Sequence, residues 1–256
     1  MLSTPDIKYL KSLHNKKYRY LEGKILLEGY RLIQQALMAE ADIKKVWVTA
    51  NYSRSILGKE LTRNLIEKKI LIETSSEKSI ERVCESQNNQ GVIAMMHIPK
   101  YEPLQNIPRH SLYLDDISDP GNMGTLIRTA AWFGIESIFL SPGCVDPLNS
   151  KVLRSGMGAH FHLQRLMTIS PDELFEKYKN SGYAIMGADM RGEPLQKLQI
   201  DLDKGWLLIL GSEAYGMNDA LRSYITHNVS IPGFGGMESL NVAVAGGILL
   251  HSLRYR

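Results

Sequence analysis

Two stretches near the end of the chain decide the fold, WLLILGSEAYG (206–216) and VSIPGFGGMESLNVAVAGGILL (229–250). Each begins with a short apolar run that predicts a buried strand, and each continues into a glycine-containing turn. In the second stretch, Ser239 is a candidate N-cap for an apolar helix over 240–253. In parallel α/β sheets, ligands bind at the carboxyl ends of the strands, so we expect the two turns to converge on one ligand.

Apolar strands and helices alternate along most of the chain. Beyond residue 110 the pattern predicts strands at 111–114, 137–140, 183–188, 206–210 and 229–231, and helices at 125–133, 171–179, 218–224 and 240–253. This alternation predicts a parallel sheet covered by helices on both faces. The pattern of residues 1–98 predicts a smaller α/β domain. Three prolines within 99–108 mark a linker to the larger domain, 109–256.

The composition is that of a globular chain, with 256 residues of which 44% are hydrophobic. Cys84 and Cys144 lack the spacing of a metal site or a redox pair, so we expect ordinary thiols in a reducing compartment. The N-terminus has no apolar leader, and the longest nearly apolar run, 242–250, is too short to cross a bilayer. We therefore expect a cytoplasmic protein without membrane association.

The charge is distributed unevenly along the chain. Residues 1–104 carry 17 Lys and Arg against 12 Asp and Glu, a net +5, whereas residues 105–256 carry 13 against 15, a net −2. This asymmetry suggests that a module binding a polyanion is joined to one that carries out chemistry. A solvated lysine-rich surface would explain the charge equally well.

The stretch DDISDPGNMGTLIRTAAWFG (115–134) combines a turn, a helix start and a single cation. The turn after the strand ends at Asn122, which is a candidate cap of the following helix. Arg128 is the only cation of this stretch. It is either a functional group or a surface arginine that pairs with Asp115 or Asp116.

A second stretch, PGCVDPLNSKVLRSGMGAHF (142–161), carries two cations at helical spacing. Lys151 and Arg154 are three residues apart, so they share a helix face that either contacts phosphate or is simply solvated. His160 and His162 alternate as in a strand. With no third ligand nearby, we do not expect a metal there.

Polar side chains also follow both C-terminal strands. Glu213 is a lone carboxylate at the end of the first, and its surroundings do not form the G-x-S-x-G turn of a nucleophilic serine. The loop 232–238 has no Walker lysine and no dinucleotide-binding unit around it. A backbone-lined pocket for a neutral or zwitterionic cofactor therefore fits better than a phosphate site. Ser239 and Asn241 either serve that pocket or only cap the last helix.

Taken together, three motifs resemble the TrmH (SpoU) family of RNA ribose 2′-O-methyltransferases in the SPOUT superfamily. The family pattern N-x-G-x-x-x-R-T-A stands at 122–130, G-x-E-x-x-G at 211–216, and I-P followed by S-L-N-V-x-x-A at 231–232 and 239–245. More loosely, LLEGYRLIQQAL (26–37) and NQGVIAMM (89–96) resemble the family's small N-terminal RNA-binding domain, which is similar to ribosomal protein L30e.

The resemblance implies a fold, a cofactor and partners. The fold is α/β, with a C-terminal parallel-sheet SPOUT domain threaded into a deep trefoil knot and a small L30e-like N-terminal domain. The knot would hold S-adenosylmethionine, without a metal, and the protein would be a homodimer packed through its final helix. RNA is the implied partner, with ribosomal RNA favoured over tRNA because of the added N-terminal domain.

The resemblance also implies the site residues. The catalytic residues would be Asn122, Arg128, Glu213, Ser239 and Asn241, and the cofactor would be bound by Leu210, Gly211, Glu213, Gly216, Ile231, Pro232 and Leu240. From their positive charge we further predict RNA contacts for Lys11, Lys16, Lys17, Arg19, Lys24, Arg31, Lys151 and Arg154.

The implied reaction is in-line transfer of the sulfonium methyl group to a ribose 2′-hydroxyl, which the protein must orient and deprotonate. Because arginine keeps its proton up to about pH 12, we expect Arg128 to anchor phosphate and polarise the hydroxyl rather than act as a base. One alternative is a non-catalytic RNA-binding or ribosome-assembly protein on the same fold, against which Asn122 and Arg128 argue. Another is a small-molecule enzyme that binds phosphate at the glycine loop, against which the missing lysine argues.

Overall fold

The computed structural model describes residues 1–87, 89–199, 201–213 and 215–255. Its α-helices are α1 (Thr4–Ser12), α2 (Lys16–Glu22), α3 (Tyr30–Met38), α4 (Ala50–Arg54), α5 (Ile56–Glu67), α6 (Glu77–Val83), α7 (Pro120–Trp132), α8 (Ser150–Ser155), α9 (Pro171–Lys179) and α10 (Val242–Arg254). The strands are β1 (Lys24–Glu28), β2 (Ile43–Val48), β3 (Leu71–Thr74), β4 (Val92–His97), β5 (His110–Leu114), β6 (Ser137–Leu140), β7 (Arg165–Thr168), β8 (Ala184–Pro194), β9 (Trp206–Leu210) and β10 (His227–Ser230). Short 3₁₀ helices span Ala159–His162, Leu195–Lys197 and Asp219–Ser223.

The first compact unit comprises Met1–Lys100 and Asp146–Phe161. Its four-stranded sheet has the order β1-β4-β2-β3, in which β4 runs antiparallel to both neighbours and β3 runs parallel to β2. Alternation along β1 places Ile25 and Leu27 in one apolar core and Leu26 in the other. The sheet is therefore covered by apolar side chains on both of its faces.

Residues 146–161 belong to this first unit, although their position beyond the proline-rich linker predicted a place in the C-terminal domain. Leu148 and Leu153 join the core around β1. The Ser150 hydroxyl donates to the Glu85 carboxylate, which lies 65 positions away in the sequence. The local pattern could not reveal this placement, because it depends on contacts with residues far away along the chain.

The prediction that Arg19 contacts RNA is wrong. Its side chain is only 3% exposed, and its guanidinium donates to the backbone oxygens of Leu13 (3.0 Å) and His14 (2.6 Å). It also forms a buried ion pair with Asp146. A charge is buried only where it is paired and hydrogen-bonded, so this cation is held inside the unit and cannot reach a phosphate.

The other basic residues with a predicted RNA contact differ in exposure. Five are exposed: Lys11, Lys16, Lys17, Arg31 and Lys151. Lys24 is half-buried, and its ammonium group donates to the Tyr9 hydroxyl at 3.1 Å. Arg154 is also half-buried and pairs with the buried carboxylate of Glu28 at 3.3 Å. The five exposed residues remain predicted RNA contacts, whereas Arg154 is mainly a structural ion-pair partner.

The second unit, Tyr101–Val145 with His162–Arg256, confirms the predicted parallel sheet. Its six strands have the order β10-β8-β9-β5-β6-β7, and every neighbouring pair is parallel. All five residues of β9 are buried, which explains its uninterrupted apolar sequence. Leu114 at the end of β5 pairs with Leu210 at the end of β9, so the loops that follow these strands leave the sheet side by side. The trefoil threading stays a prediction.

Two helix starts differ from the sequence-based expectation. α7 is capped by Asp119 rather than Asn122, because Pro120 suits the first helical position and the Asp119 carboxylate accepts from the Asn122 N–H at 2.8 Å. α10 is capped by Asn241 rather than Ser239, since the Asn241 side-chain oxygen accepts from two backbone N–H groups of the first turn. In both cases the asparagine of the motif lies at the helix start.

The expected strand at His160 and His162 is instead a 3₁₀ helix. Burial lowers the pKa of His160 to about 4, so its ring is neutral at physiological pH and forms part of the interior.

Nowhere in the part of the chain that the structure describes is a helix long and apolar enough to cross a membrane.

Candidate active site at the carboxyl ends of the strands

The glycine motif after β9 closes into a tight turn. A Cβ atom on Gly211 would lie 2.4 Å from backbone atoms of Gly216 and Met217, so no side chain fits at this position. Ser212 and Gly216 form an isolated β-bridge, and Gly216 has a φ of +71°, which favours glycine. Ala214 of the motif lies outside the described residues. The turn presents backbone groups and the exposed side chain of Glu213 at the strand end.

Asn122, Glu213 and Asn241 form one hydrogen-bonded group, here called the amide–carboxylate cluster. The side-chain amides of Asn122 and Asn241 each donate to Glu213 Oε1 at 2.7 Å. Asn241 Nδ2 also lies 3.0 Å from Asn122 Oδ1, and the backbone N–H of Val242 donates to Glu213 Oε1 at 3.3 Å. The structure therefore brings one residue from each of the three motifs into direct contact.

The helix starts explain how this cluster is held. Asn241 uses its side-chain oxygen to cap α10, accepting from Ala243 at 2.9 Å and Val244 at 3.3 Å. Its amide nitrogen is thereby directed to Glu213. A carboxylate at the N-terminus of a helix is favourable, and hydrogen bonds to an ionised acceptor are stronger than neutral ones. The cluster is consequently a fixed polar centre formed by the N-termini of two helices and one turn.

Other predicted catalytic residues lie outside this cluster. Arg128 is exposed on α7, six residues beyond Asn122, which corresponds to about 9 Å along the axis and a different side of the helix. Ser239 is exposed in the loop before α10. The cluster thus contains three of the five predicted catalytic residues.

The residues predicted to bind the cofactor lie at two strand ends. Leu210 ends β9 and Gly211 follows it, while Ile231, half-buried, and the exposed Pro232 directly follow β10. Leu240 is 50% exposed just before α10. A Cβ atom on any glycine of the loop 233–236 would meet nothing within 4 Å, so the loop leaves open space.

The donor set of these strand ends fits a zwitterionic nucleoside cofactor. Neither 206–217 nor 229–242 contains a lysine or an arginine, so nothing in these segments is suited to neutralising a phosphate. Backbone N–H and C=O groups of the glycine turn can hydrogen-bond an adenine and an amino acid, and the apolar side chains of Ile231 and Leu240 can contact the ring.

A cleft of about 520 Å³ opens at the same edge of the sheet, beside the Gly211–Gly216 turn. Asp115, on its wall, is buried and accepts from the backbone N–H of Asn218 at 2.8 Å, which fixes the chain that leaves the turn. From the sequence, Asp115 was predicted only as a possible partner of Arg128. Its position directly after a buried strand was the signal that could have revealed a role in the site.

No group of three or more His, Cys, Asp or Glu side chains suited to a metal occurs within 1–87, 89–199, 201–213 and 215–255. The expectation of a metal-free site stays a prediction.

The fold and the three assembled motifs define an RNA methyltransferase. Residues 109–251 match the model of the SpoU rRNA methylase family, and residues 4–94 match the MRM3-like substrate-binding domain. The chain belongs to the SpoU rRNA methylase family. Its N-terminal region is correspondingly of a substrate-binding type.

Relatives and solved structures agree with this assignment. The chain is 35% identical over 251 residues to the 23S rRNA (guanosine(2553)-2′-O)-methyltransferase RlmP of Bacillus subtilis, covering 97% of this chain and 95% of the relative. The structure of an AdoMet-bound rRNA methyltransferase from Sinorhizobium meliloti matches with a TM-score of 0.85 at 25% identity, over 100% of this chain and 96% of that one. An RNA 2′-O ribose methyltransferase matches with a TM-score of 0.83 at 26% identity, over 98% and 95%. The prediction of an S-adenosylmethionine-dependent RNA ribose 2′-O-methyltransferase is confirmed.

Proposed function

We propose that this chain methylates the ribose 2′-hydroxyl of a guanosine in large-subunit ribosomal RNA. The name of the Bacillus subtilis relative supports the choice of RNA and of base, since the two chains align along nearly their whole lengths. The observation that carries the proposal is the amide–carboxylate cluster, because it unites the three motifs at one edge of the sheet. An enzyme acting on ribosomal RNA is expected to work in the cytoplasm.

We infer that the cofactor is held at the ends of β9 and β10. When bound, S-adenosylmethionine supplies an electrophilic methyl group on a sulfonium centre. The backbone around Gly211 and Gly216 binds its polar parts, and Ile231, Pro232 and Leu240 enclose the adenine. Leu210 closes the floor of this pocket, because it is buried at the end of β9.

The protein's own residues orient the nucleophile. Arg128 anchors the phosphate next to the target ribose and polarises its 2′-hydroxyl, and Ser239 is positioned to contact the ribose. The amide–carboxylate cluster fixes the loops that carry these groups, so that the hydroxyl approaches the methyl group in line. The hydroxyl proton leaves to solvent as the bond between the 2′-oxygen and the methyl carbon forms and the bond between that carbon and the sulfonium sulfur breaks, while Arg128 keeps its own proton throughout.

Replacing Glu213 by alanine is expected to lower the rate of methyl transfer about a hundredfold. The variant removes the shared acceptor of three N–H donors and frees the loops before α7 and α10. Glu213→Gln keeps one acceptor oxygen, so its rate of methyl transfer should fall only about tenfold. Single-turnover transfer to ribosomal RNA measures both rates.

Glu238→Ala is the matched control, since Glu238 is an exposed glutamate of the neighbouring loop and its removal changes the charge equally. A Glu213→Ala rate within twofold of the control would show that the cluster has no part in the reaction.

We further propose that two copies of the chain pair through α10. Val244 and Ile248 lie one turn apart on this helix and are 51% and 40% exposed, and Trp132 on the neighbouring α7 is 83% exposed. Large apolar side chains clustered on packed helices mark a surface that another protein covers. A second copy would also place another Arg128 near this surface.

Ile248→Glu is expected to convert the dimer to a monomer at micromolar concentration, because it would bury two unpaired carboxylates in the interface. Light scattering coupled to size exclusion measures the mass. Ile66→Glu, at an exposed isoleucine of α5, should leave the mass unchanged. A wild-type mass of one chain would refute the pairing.

Transfer of labelled methyl groups to purified RNA tests the proposed function. Deproteinised large-subunit ribosomal RNA, small-subunit ribosomal RNA and tRNA are offered separately, each from cells that lack the enzyme. We expect label only in the large-subunit RNA and, after digestion, only in guanosine. Label in tRNA would contradict the choice of substrate. Label in none of the three, with cofactor binding intact, would favour a non-catalytic RNA-binding protein.

A further inference from the structure

The outer half of α2 exposes aromatic and apolar side chains. Arg19 points into the unit, so at about 100° per residue Lys17 and Leu21 lie opposite it, with Tyr18 and Tyr20 on the two flanks. Tyr18 is 45% exposed, Tyr20 51% and Leu21 72%. These four outward residues, Lys17, Tyr18, Tyr20 and Leu21, are here called the α2 face.

The helix that carries the α2 face, and one of the rings on that face, are held in place. The Arg19 guanidinium fastens the helix to the backbone that precedes it and to Asp146. The Tyr20 hydroxyl donates to Asp146 Oδ1 at 3.1 Å, and burial followed by the Asp146 charge raises the pKa of Tyr20 to about 12. The hydroxyl therefore stays protonated and fixes its ring. A surface on a fixed helix, with one of its rings already ordered, loses less entropy when a ligand binds than a mobile one.

The segment of the chain that contains α2 is strongly basic. Residues 8–24 contain six Lys and Arg, and Glu22 is their only acidic residue. Arg19 is neutralised by Asp146, which leaves five lysines. Lys8, Lys11, Lys16 and Lys17 are exposed. This excess of positive charge is complementary to a polyanion.

We propose that the α2 face binds an unpaired nucleotide of the RNA substrate, with the base stacked on Tyr18 and the adjacent phosphate paired with Lys17. Exposed aromatic rings among lysines suit single-stranded RNA, because every base offers a face for stacking and every linkage carries a charge. A duplex would present only its backbone. The identity of the RNA rests on the proposed function, whereas the chemistry of the face does not.

Binding of a fluorescent single-stranded 12-nucleotide RNA and of the same sequence as a duplex tests this inference. Tyr18→Ala should weaken single-strand binding about tenfold and duplex binding by less than twofold, whereas Tyr18→Phe should keep wild-type affinity because the ring remains. Lys17→Ala should weaken the binding of both the single strand and the duplex. It should also lower the slope of log affinity against log salt by about one. On ribosomal RNA, Tyr18→Ala should raise KM with kcat nearly unchanged.

Matched controls separate this surface from general effects. Ile56→Ala and Lys59→Ala change an exposed apolar residue and an exposed lysine on α5 of the same unit and should alter neither affinity. Unchanged thermal midpoints show that the variants are folded.

Equal single-strand affinity of Tyr18→Ala and wild type would overturn the inference, and so would equal losses for Tyr18→Ala and Tyr18→Phe. Equal losses on single strand and duplex would overturn the stacking role. Failure of the wild-type protein to methylate ribosomal RNA would instead refute the proposed function and leave these affinities interpretable.

Discussion

Arg128→Ala is expected to lower the rate of methyl transfer about a thousandfold while the affinity for S-adenosylmethionine changes less than twofold. The guanidinium is proposed to hold the phosphate beside the target ribose and to polarise the 2′-hydroxyl, and both effects are lost on truncation. Arg128→Lys should recover little of the lost rate, because a lysine cannot form the two parallel hydrogen bonds of a guanidinium. Single-turnover rates and calorimetric titration of the cofactor give the two quantities.

Lys177→Ala, at an exposed lysine of α9, controls for the loss of one positive charge from the second unit and should transfer at the wild-type rate. If Arg128→Ala lost cofactor affinity and rate to the same extent, the arginine would belong to the cofactor pocket or to folding. If the transfer rate of Arg128→Ala rose steeply with pH, this would indicate that Arg128 acts as a general base in the wild-type protein.

Arg19→Ala is expected to lower the free energy of unfolding by about 3 kcal/mol. The substitution leaves the Asp146 carboxylate buried without its cation and removes two hydrogen bonds to backbone oxygens. The double variant Arg19→Met, Asp146→Leu should recover a large part of this loss, because an apolar pair needs no partner in the interior. Urea unfolding at several protein concentrations measures these differences.

Arg31→Ala is the matched control, since Arg31 is exposed on α3 of the same unit and should change the free energy by less than about 0.5 kcal/mol. An Arg19→Ala variant as stable as this control would show that the ion pair does not support the attachment of residues 146–161.

The sequence predicted the parallel sheet and the meeting of its motifs for a clear physical reason. Strands buried on both faces must be apolar throughout, as in WLLIL, and the carboxyl ends of parallel strands lie at one edge. Asn122 and Glu213 each follow such a strand, and Asn241 follows the edge strand β10, which ends at the same edge of the sheet. Their contact in the structure therefore follows from the parallel sheet, which the alternation of strands and helices in the sequence already predicted.

Contacts between distant residues were not predictable in this way. Arg19 has the same local sequence context as the exposed lysines beside it, and the carboxylate that neutralises its buried charge, Asp146, lies 127 positions later. The cap of α10 illustrates a subtler difference. Ser239 and Asn241 are both good caps by residue type, and the choice depends on Glu213, which accepts the amide that a serine lacks.

The most direct test of the account is alkaline hydrolysis of ribosomal RNA labelled by the wild-type protein and S-adenosylmethionine. A ribose with a methylated 2′-oxygen cannot cleave the neighbouring linkage, so we expect the label in an alkali-resistant dinucleotide that begins with guanosine. The Glu213→Ala protein should produce this dinucleotide about a hundredfold more slowly. Label released as a methylated mononucleotide would show that the base is modified, and it would contradict ribose methylation at this site.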